Sequence, residues 1–135
     1  MIIGFTGTQE GCNEVQLKEL TNFLTENKDQ ISAAHHGCCI GADSEFHFIC
    51  VDLEIPIIGH PPIKKSKVDA NVFGTLNMVN EPLEYLERNR KIVEVCDLLL
   101  AAPAQNTEIL RSGTWSTIRY AKKVNIPVVI FFPLP

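Results

Sequence analysis

The feature that most constrains this chain is a set of short apolar runs that do not alternate. Ile2 to Phe5, Asp97 to Ala102 and Pro127 to Phe132 read as nearly continuous hydrophobic stretches. A strand with one face in water alternates apolar and polar residues, whereas a strand covered on both faces does not. These runs therefore predict buried parallel strands. Gln30 to His35 and Ile55 to Ile58 bring the candidate strands to five.

Helical periodicity fills the intervals. Val15, Leu17, Leu20, Phe23 and Leu24 recur at helical spacing, and Phe46, Ile49, Cys50 and Leu53 form a second stripe. Leu83, Leu86, Ile92, Val93 and Cys96 predict a third helix, opened by Glu81-Pro82, where proline suits a first turn. Trp115, Ile118, Ala121 and Val124 mark a fourth that ends before Pro127. Strands alternating with helices imply βαβ units. The expected fold is a Rossmann-like three-layer α/β/α sandwich around a mostly parallel five-stranded sheet. The stretch 61–80 shows no regular pattern and carries Lys64, Lys65 and Lys67. It reads either as a solvated basic loop or as a lid over a ligand.

Composition narrows the class. The 135 residues, 45% hydrophobic and 21% charged, suit one globular domain over 1–135. The formal net charge of −4 opposes a broad grip on a nucleic-acid backbone. Five cysteines without regular spacing read as reduced thiols rather than a disulfide framework. Met1 to Phe5 has no basic leader, so a cytoplasmic location is expected. Symmetric pairs are the commonest closed assembly, and a homodimer is the expected oligomer.

In an open α/β sheet, ligands bind outside the carboxyl ends of the strands. Three polar, glycine-bearing loops fall there. The first runs from Gly4 to Gln9, where Gly7 permits close backbone approach and Thr8 and Gln9 supply donors. Thr8 could equally cap an ordinary turn. The second, His35 to Glu45, bends at Gly37 and Gly41, and Asp43 or Ser44 can cap the helix that follows. Its His-His-x-Cys-Cys cluster offers zinc-type ligands, but without C-x₂-C spacing or a second ligand pair no metal is expected. The third, Arg111 to Thr117, ends at a helix start. Helix amides, Arg111, and the hydroxyls of Ser112 and Thr114 around Gly113 predict an anion site there. Trp115 reads as a packing residue. Arg88 and Arg90, two apart on a helix, point in different directions, so one of them at most faces the site. No motif calls for a cofactor.

Taken together, Gly4-Phe5-Thr6-Gly7-Thr8, His36-Gly37 with Gly41-Ala42-Asp43, and Arg111-Ser112-Gly113-Thr114-Trp115 resemble the SLOG superfamily. That superfamily includes cytokinin-activating phosphoribohydrolases, proteins once called lysine decarboxylases, and DNA-processing relatives. The resemblance implies a Rossmann-like fold with a nucleotide site, and dimers like those of the phosphoribohydrolases. Those enzymes carry an Arg-Lys pair on a helix, then a strand, then Pro-Gly-Gly-x-Gly-Thr-x-x-Glu. Arg90-Lys91 falls where that pair is expected, Leu98 to Pro103 resembles the strand, and Gly113-Thr114 matches the Gly-Thr. Ala104 to Leu110 resembles an insertion, and Thr117 occupies the place of the family's catalytic glutamate.

A threonine cannot supply a carboxylate. The preferred reading is therefore a binding protein that senses, carries or sequesters a nucleotide-derived, phosphate-bearing ligand. Its expected contacts are Gly7, Thr8, Gln9, Gly37, Gly41, Asp43, Arg90, Arg111, Ser112, Gly113 and Thr114. The alternative is a nucleoside-5′-monophosphate N-glycosidase resting on Asp43 or Glu45, with Glu45 lying toward Arg90. A DNA-recombination accessory is a third reading, opposed by the acidic balance.

Overall fold

The computed structural model describes residues 1–134. Among them, six strands form one sheet in the order β4-β3-β2-β1-β5-β6, and every pairing is parallel. The strands are β1 (Ile2–Gly7), β2 (Ala33–His36), β3 (Ile57–Gly59), β4 (Met78–Val79), β5 (Leu98–Ala102) and β6 (Val128–Ile130). Four helices connect them: α1 (Glu14–Asn27), α2 (Ala42–Asp52), α3 (Tyr85–Val95) and α4 (Gly113–Lys123).

The predicted three-layer architecture is present, with one strand more than expected. Met78 and Val79 pair with Ile58 and Gly59 and put a two-residue edge strand inside the stretch read as irregular. So short an edge strand leaves almost no periodicity to detect. The same stretch holds 3-10 turns at Lys65–Lys67 and Ala70–Thr75. The second strand begins later than predicted, because Lys28–Gln30 closes the first helix with a 3-10 turn.

Side-chain alternation divides the core between the two faces of the sheet. Ile3 and Phe5 of β1, with Leu100 and Ala102 of β5, join Leu20, Leu24 and Phe46 from α1 and α2. Leu99 packs on the opposite face against Ile92 and Val93 of α3, Cys96 just beyond it, and Ala121 of α4. Phe5 and Phe46 stack with ring centroids 4.4 Å apart. Helix α1 starts with a full capping box: Asn13 accepts from the Gln16 amide, and the Gln16 side chain accepts from the Asn13 amide. Helix α3 starts at Tyr85, so Leu83 precedes it and bridges to Pro62 instead. No helix among the described residues is long and apolar enough to cross a membrane.

Candidate functional site

From β1 the chain builds outward to β4, then crosses back to place β5 on the other side of β1. The loops after β1 and β5 leave in opposite directions, and this reversal opens a crevice at the strand ends. A cleft of about 500 Å³ lies there. Thr6, Gly7, Thr8, Gln9 and Glu10 form its floor after β1. Gly37 and Cys39 come from the turn after β2, Asp43 from the first turn of α2, and Tyr85, Arg88 and Asn89 from α3. The loop before α4 closes the other side with Ala104, Gln105, Ile109 and Arg111 to Thr114.

The inner wall is built around two buried charged residues. Arg88 is 4% exposed, and its Nη1 donates to the carbonyls of Gly37 (2.6 Å) and His60 (3.1 Å). Its Nε donates to Asn89 Oδ1 at 2.8 Å, and the guanidinium lies 4.7 Å from the Tyr85 ring centroid. Asp43, 6% exposed, accepts from the Cys39 amide at 3.2 Å. Burial pushes the Asp43 carboxyl up to about 6, against the opposing pull of Arg88 and the backbone amides. Tyr85 ties this wall to the floor: Gln9 Nε2 donates to its hydroxyl at 2.6 Å, and Cys39 Sγ lies 3.4 Å from the same oxygen. Burial pushes the Cys39 thiol up, so at neutral pH it is a thiol, not a thiolate.

The outer wall is more open. Ser112 caps α4 by accepting from the Trp115 amide at 3.1 Å. The first bond within the helix runs from the Ser116 amide to the Ser112 carbonyl. The amides of Gly113 and Thr114 thus belong to the orphan donors of a helix start. A Cβ on Gly113 would meet nothing within 4 Å. Arg119 moors the preceding loop by donating to Glu108 Oε2 (2.7 Å) and to the carbonyls of Ile109 and Leu110 (3.3 Å each). Trp115 packs against Ala101 and Ile118 in the core and donates through Nε1 to Gln105 Oε1 at 3.1 Å.

Most of the residues singled out in the sequence converge on this cleft; two do not, and one supports it from behind. Arg90 lies outside, its guanidinium 5.2 Å from the Tyr120 ring centroid. Arg88 takes the inward place because it shares a helical face with buried Ile92, four residues on. That i, i+4 relation was the available signal, and exposed Leu86, an apolar residue on the outer face, masks it. Glu45 also lies outside: its Oε1 accepts from the Cys12 amide at 2.7 Å and does not approach Arg90. Gly41 does not line the cleft but holds it in shape, with φ of 83° and its Cα against the Gln9 backbone. Neither Asp43 nor Ser44 caps α2, whose N-cap is Gly41. Ser44 Oγ instead has two acceptors within reach of its single proton, Asp69 Oδ2 at 2.7 Å and the Cys39 carbonyl at 2.9 Å. Thr117 is buried, and its hydroxyl donates to the Gly113 carbonyl at 2.8 Å. Glu10, Tyr85 and Gln105 line the cleft without having been marked by any motif. Among the described residues no group of three or more His, Cys, Asp or Glu side chains could hold a metal ion.

Fold and cleft together define the class: a Rossmann-like α/β domain with an open crevice at the strand-order reversal. Solved structures share this fold. The chain is similar to the molybdenum cofactor binding protein of the phototrophic bacterium Rippkaea orientalis, with a TM-score of 0.71 and 21% identity over 96% of this chain and 74% of that one. It is similar to the Moco carrier protein of Chlamydomonas reinhardtii, with a TM-score of 0.71 and 19% identity over 96% and 75% of the two chains. DNA processing protein A of Streptococcus pneumoniae gives a TM-score of 0.76 at 17% identity, over 95% of this chain but only 49% of that protein. No family model and no curated protein matches the sequence.

Proposed function

We propose that the cleft binds and carries a nucleotide-type small molecule with a phosphate group. The observation that carries this reading is the start of α4, where Gly113 and Thr114, whose amides belong to the helix's unpaired first turn, line a cleft also lined by Arg111. Orphan amides, the helix dipole and a guanidinium form a site suited to an anion. A volume of about 500 Å³ is that of an ordinary small-molecule pocket. From the anion seat the cleft extends toward Asp43, Tyr85 and Asn89, polar groups suited to sugar hydroxyls and a base. Two of the structural neighbours are named as a binding and a carrier protein for a cofactor, which agrees with carriage rather than turnover.

Hydrolysis has less support. Thr117 is buried with its hydroxyl engaged, and Glu45 is held by the Cys12 amide, so of the two carboxylates named for the enzyme reading only Asp43 lines the cleft, which Glu10 also lines. Asp43 already accepts from the Cys39 amide and holds the turn. The assembly we propose is a symmetric dimer, and light scattering at micromolar concentration would show a monomer mass if that part is wrong.

The test is to incubate the protein with a mixture of nucleoside mono- and diphosphates and ADP-ribose, then separate bound from free species by mass spectrometry. An intact nucleotide retained by the native protein and lost on Arg111→Ala supports the proposal. Free base released with ribose phosphate replaces it with the N-glycosidase reading. Retention of a single-stranded oligonucleotide in place of every small nucleotide overturns it.

A further inference from the structure

Beneath the inner wall lies a chain of hydrogen bonds that the proposed ligand site does not itself use. His36, at the end of β2, is fully buried, and its Nδ1 lies 3.0 Å from the Cys38 amide nitrogen. An amide can only donate, so Nδ1 is the acceptor and carries no proton. Burial, reinforced by His47, pushes the His36 pKa down to about 3, which keeps the ring neutral. A neutral ring with a bare Nδ1 carries its proton on Nε2.

That proton points at His47 Nδ1, 2.9 Å away, which must accept. His47 is also held neutral by burial, so its own proton is on Nε2, facing Thr75 Oγ1 at 2.6 Å. The Thr75 hydroxyl donates in turn to the Val72 carbonyl at 3.4 Å. Every donor along Cys38, His36, His47 and Thr75 is thus assigned, and the chain has one direction.

Its first link sits at an unusual backbone. Cys38 has a φ of 62°, in the left-handed region that side-chain-bearing residues avoid. The turn it makes carries the Gly37 carbonyl that Arg88 binds and the Cys39 thiol that lines the cleft. A side chain accepting from the amide two residues on is the hydrogen bond of an Asx-turn, made here by an imidazole.

We propose that His36 is the positioning residue of the cleft's inner wall: its unprotonated Nδ1 holds the left-handed turn at Cys38, and His47 and Thr75 lock the ring in the tautomer this requires. The role of the wall in binding rests on the function proposed above; the positioning role does not.

Two substitutions separate positioning from mere core filling. In His36→Asn, the side-chain oxygen can still accept from the Cys38 amide, while the reach to His47 is lost. In His36→Gln, the reach to His47 is kept and the acceptor beside Cys38 is lost. The ligand-independent readout is alkylation of Cys39 by iodoacetamide, mapped by tandem mass spectrometry. His36→Gln should raise the rate about tenfold or more through local opening, and His36→Asn should stay within about twofold of the native rate. Adding Cys38→Gly to His36→Gln should restore protection, because glycine adopts the turn without help. Equal acceleration by Asn and Gln, or none by either, overturns the proposal. Should the variants fail to fold, long-range ¹H–¹⁵N spectra of the native protein still decide. They should show a bare Nδ1 and a protonated Nε2 on both histidines, and a protonated Nδ1 on His36 refutes the assignment. Calorimetry with adenosine 5′-monophosphate adds a binding arm, in which the affinity of His36→Gln falls and that of His36→Asn is kept. If the native protein does not bind that nucleotide, the result counts against the proposed function, and the alkylation result alone judges the positioning role.

Discussion

The two walls of the cleft are built on opposite plans. On the inner wall, Arg88, Asp43 and the turn at Gly37 to Cys39 are buried and bonded to one another. On the outer wall, Arg111 and Gly113 are exposed, and the loop before them is moored from behind by Arg119. The difference shows how one cleft can be both rigid and receptive. Groups already hydrogen-bonded within the protein shape a pocket and keep only part of their hydrogen-bonding capacity for a ligand. Orphan amides at a helix start have donors to spare and need little order of their own. Substitutions on the inner wall should therefore damage the fold, and those on the outer wall should damage binding alone.

The largest effect expected is that of Arg88→Leu. It leaves the Gly37 and His60 carbonyls without their donor and Asp43 without a neighbouring cation. Urea denaturation should show a loss of about 3–5 kcal/mol, as when one partner of a buried charged network is removed. A stability unchanged within error would mean that the inner wall is not built on this residue.

Gly41→Ala should cost about 2–4 kcal/mol, combining left-handed strain with overpacking. At φ of 83° its new methyl would run into the Gln9 backbone, which cannot step aside as a side chain would. The outer-wall counterpart, Gly113→Ala, should stay within about 0.5 kcal/mol of the native protein, since open space surrounds that position. Similar melting shifts for the two variants would erase the contrast between the walls.

Acid should weaken the inner wall through its histidines. Burial holds His36 at about 3 and His60 at about 4, while an unfolded histidine takes up its proton near 6.5. Below that pH the unfolded state binds more protons, so stability is present above it and is lost as pH falls. Asp43 acts in the opposite sense. Its raised value of about 6 lets the folded state take a proton first and returns part of the loss. Two histidines against one carboxyl leave a net loss of about 2 kcal/mol between pH 7 and pH 5. Thermal melts across that range should show a falling midpoint, and a rising one would mean that Asp43 dominates.

Arg111→Ala tests the other half of the comparison. Nucleotide affinity should fall by about 1.5–3 kcal/mol, the worth of a charged hydrogen bond, with the melting midpoint unmoved. Calorimetry beside a thermal melt separates the two effects, and a parallel drop in both would place Arg111 in the fold rather than in the site.

Much of the architecture was written in local pattern. The unbroken apolar runs at Ile2 to Phe5 and Asp97 to Ala102 suited strands covered on both faces better than half-exposed ones, and they became neighbours in the interior of the sheet. The glycine and hydroxyl residues after the strands marked the loops that line the cleft. Periodicity reports the environment of a whole face, so it succeeds where many residues share one fate. Which arginine turned inward depended on the angular phase of α3 against the sheet, a relation between elements that spacing within one element does not contain. The edge strand at Met78–Val79 depended on a partner already in place, because two residues hold no pattern of their own. The path from buried Cys38, His36 and His47 out to exposed Thr75 joins a turn, a strand, a helix and a 3-10 segment. A hydrogen bond needs its donor and acceptor within about 3 Å, and only the packed chain brings residues so far apart in sequence to that distance.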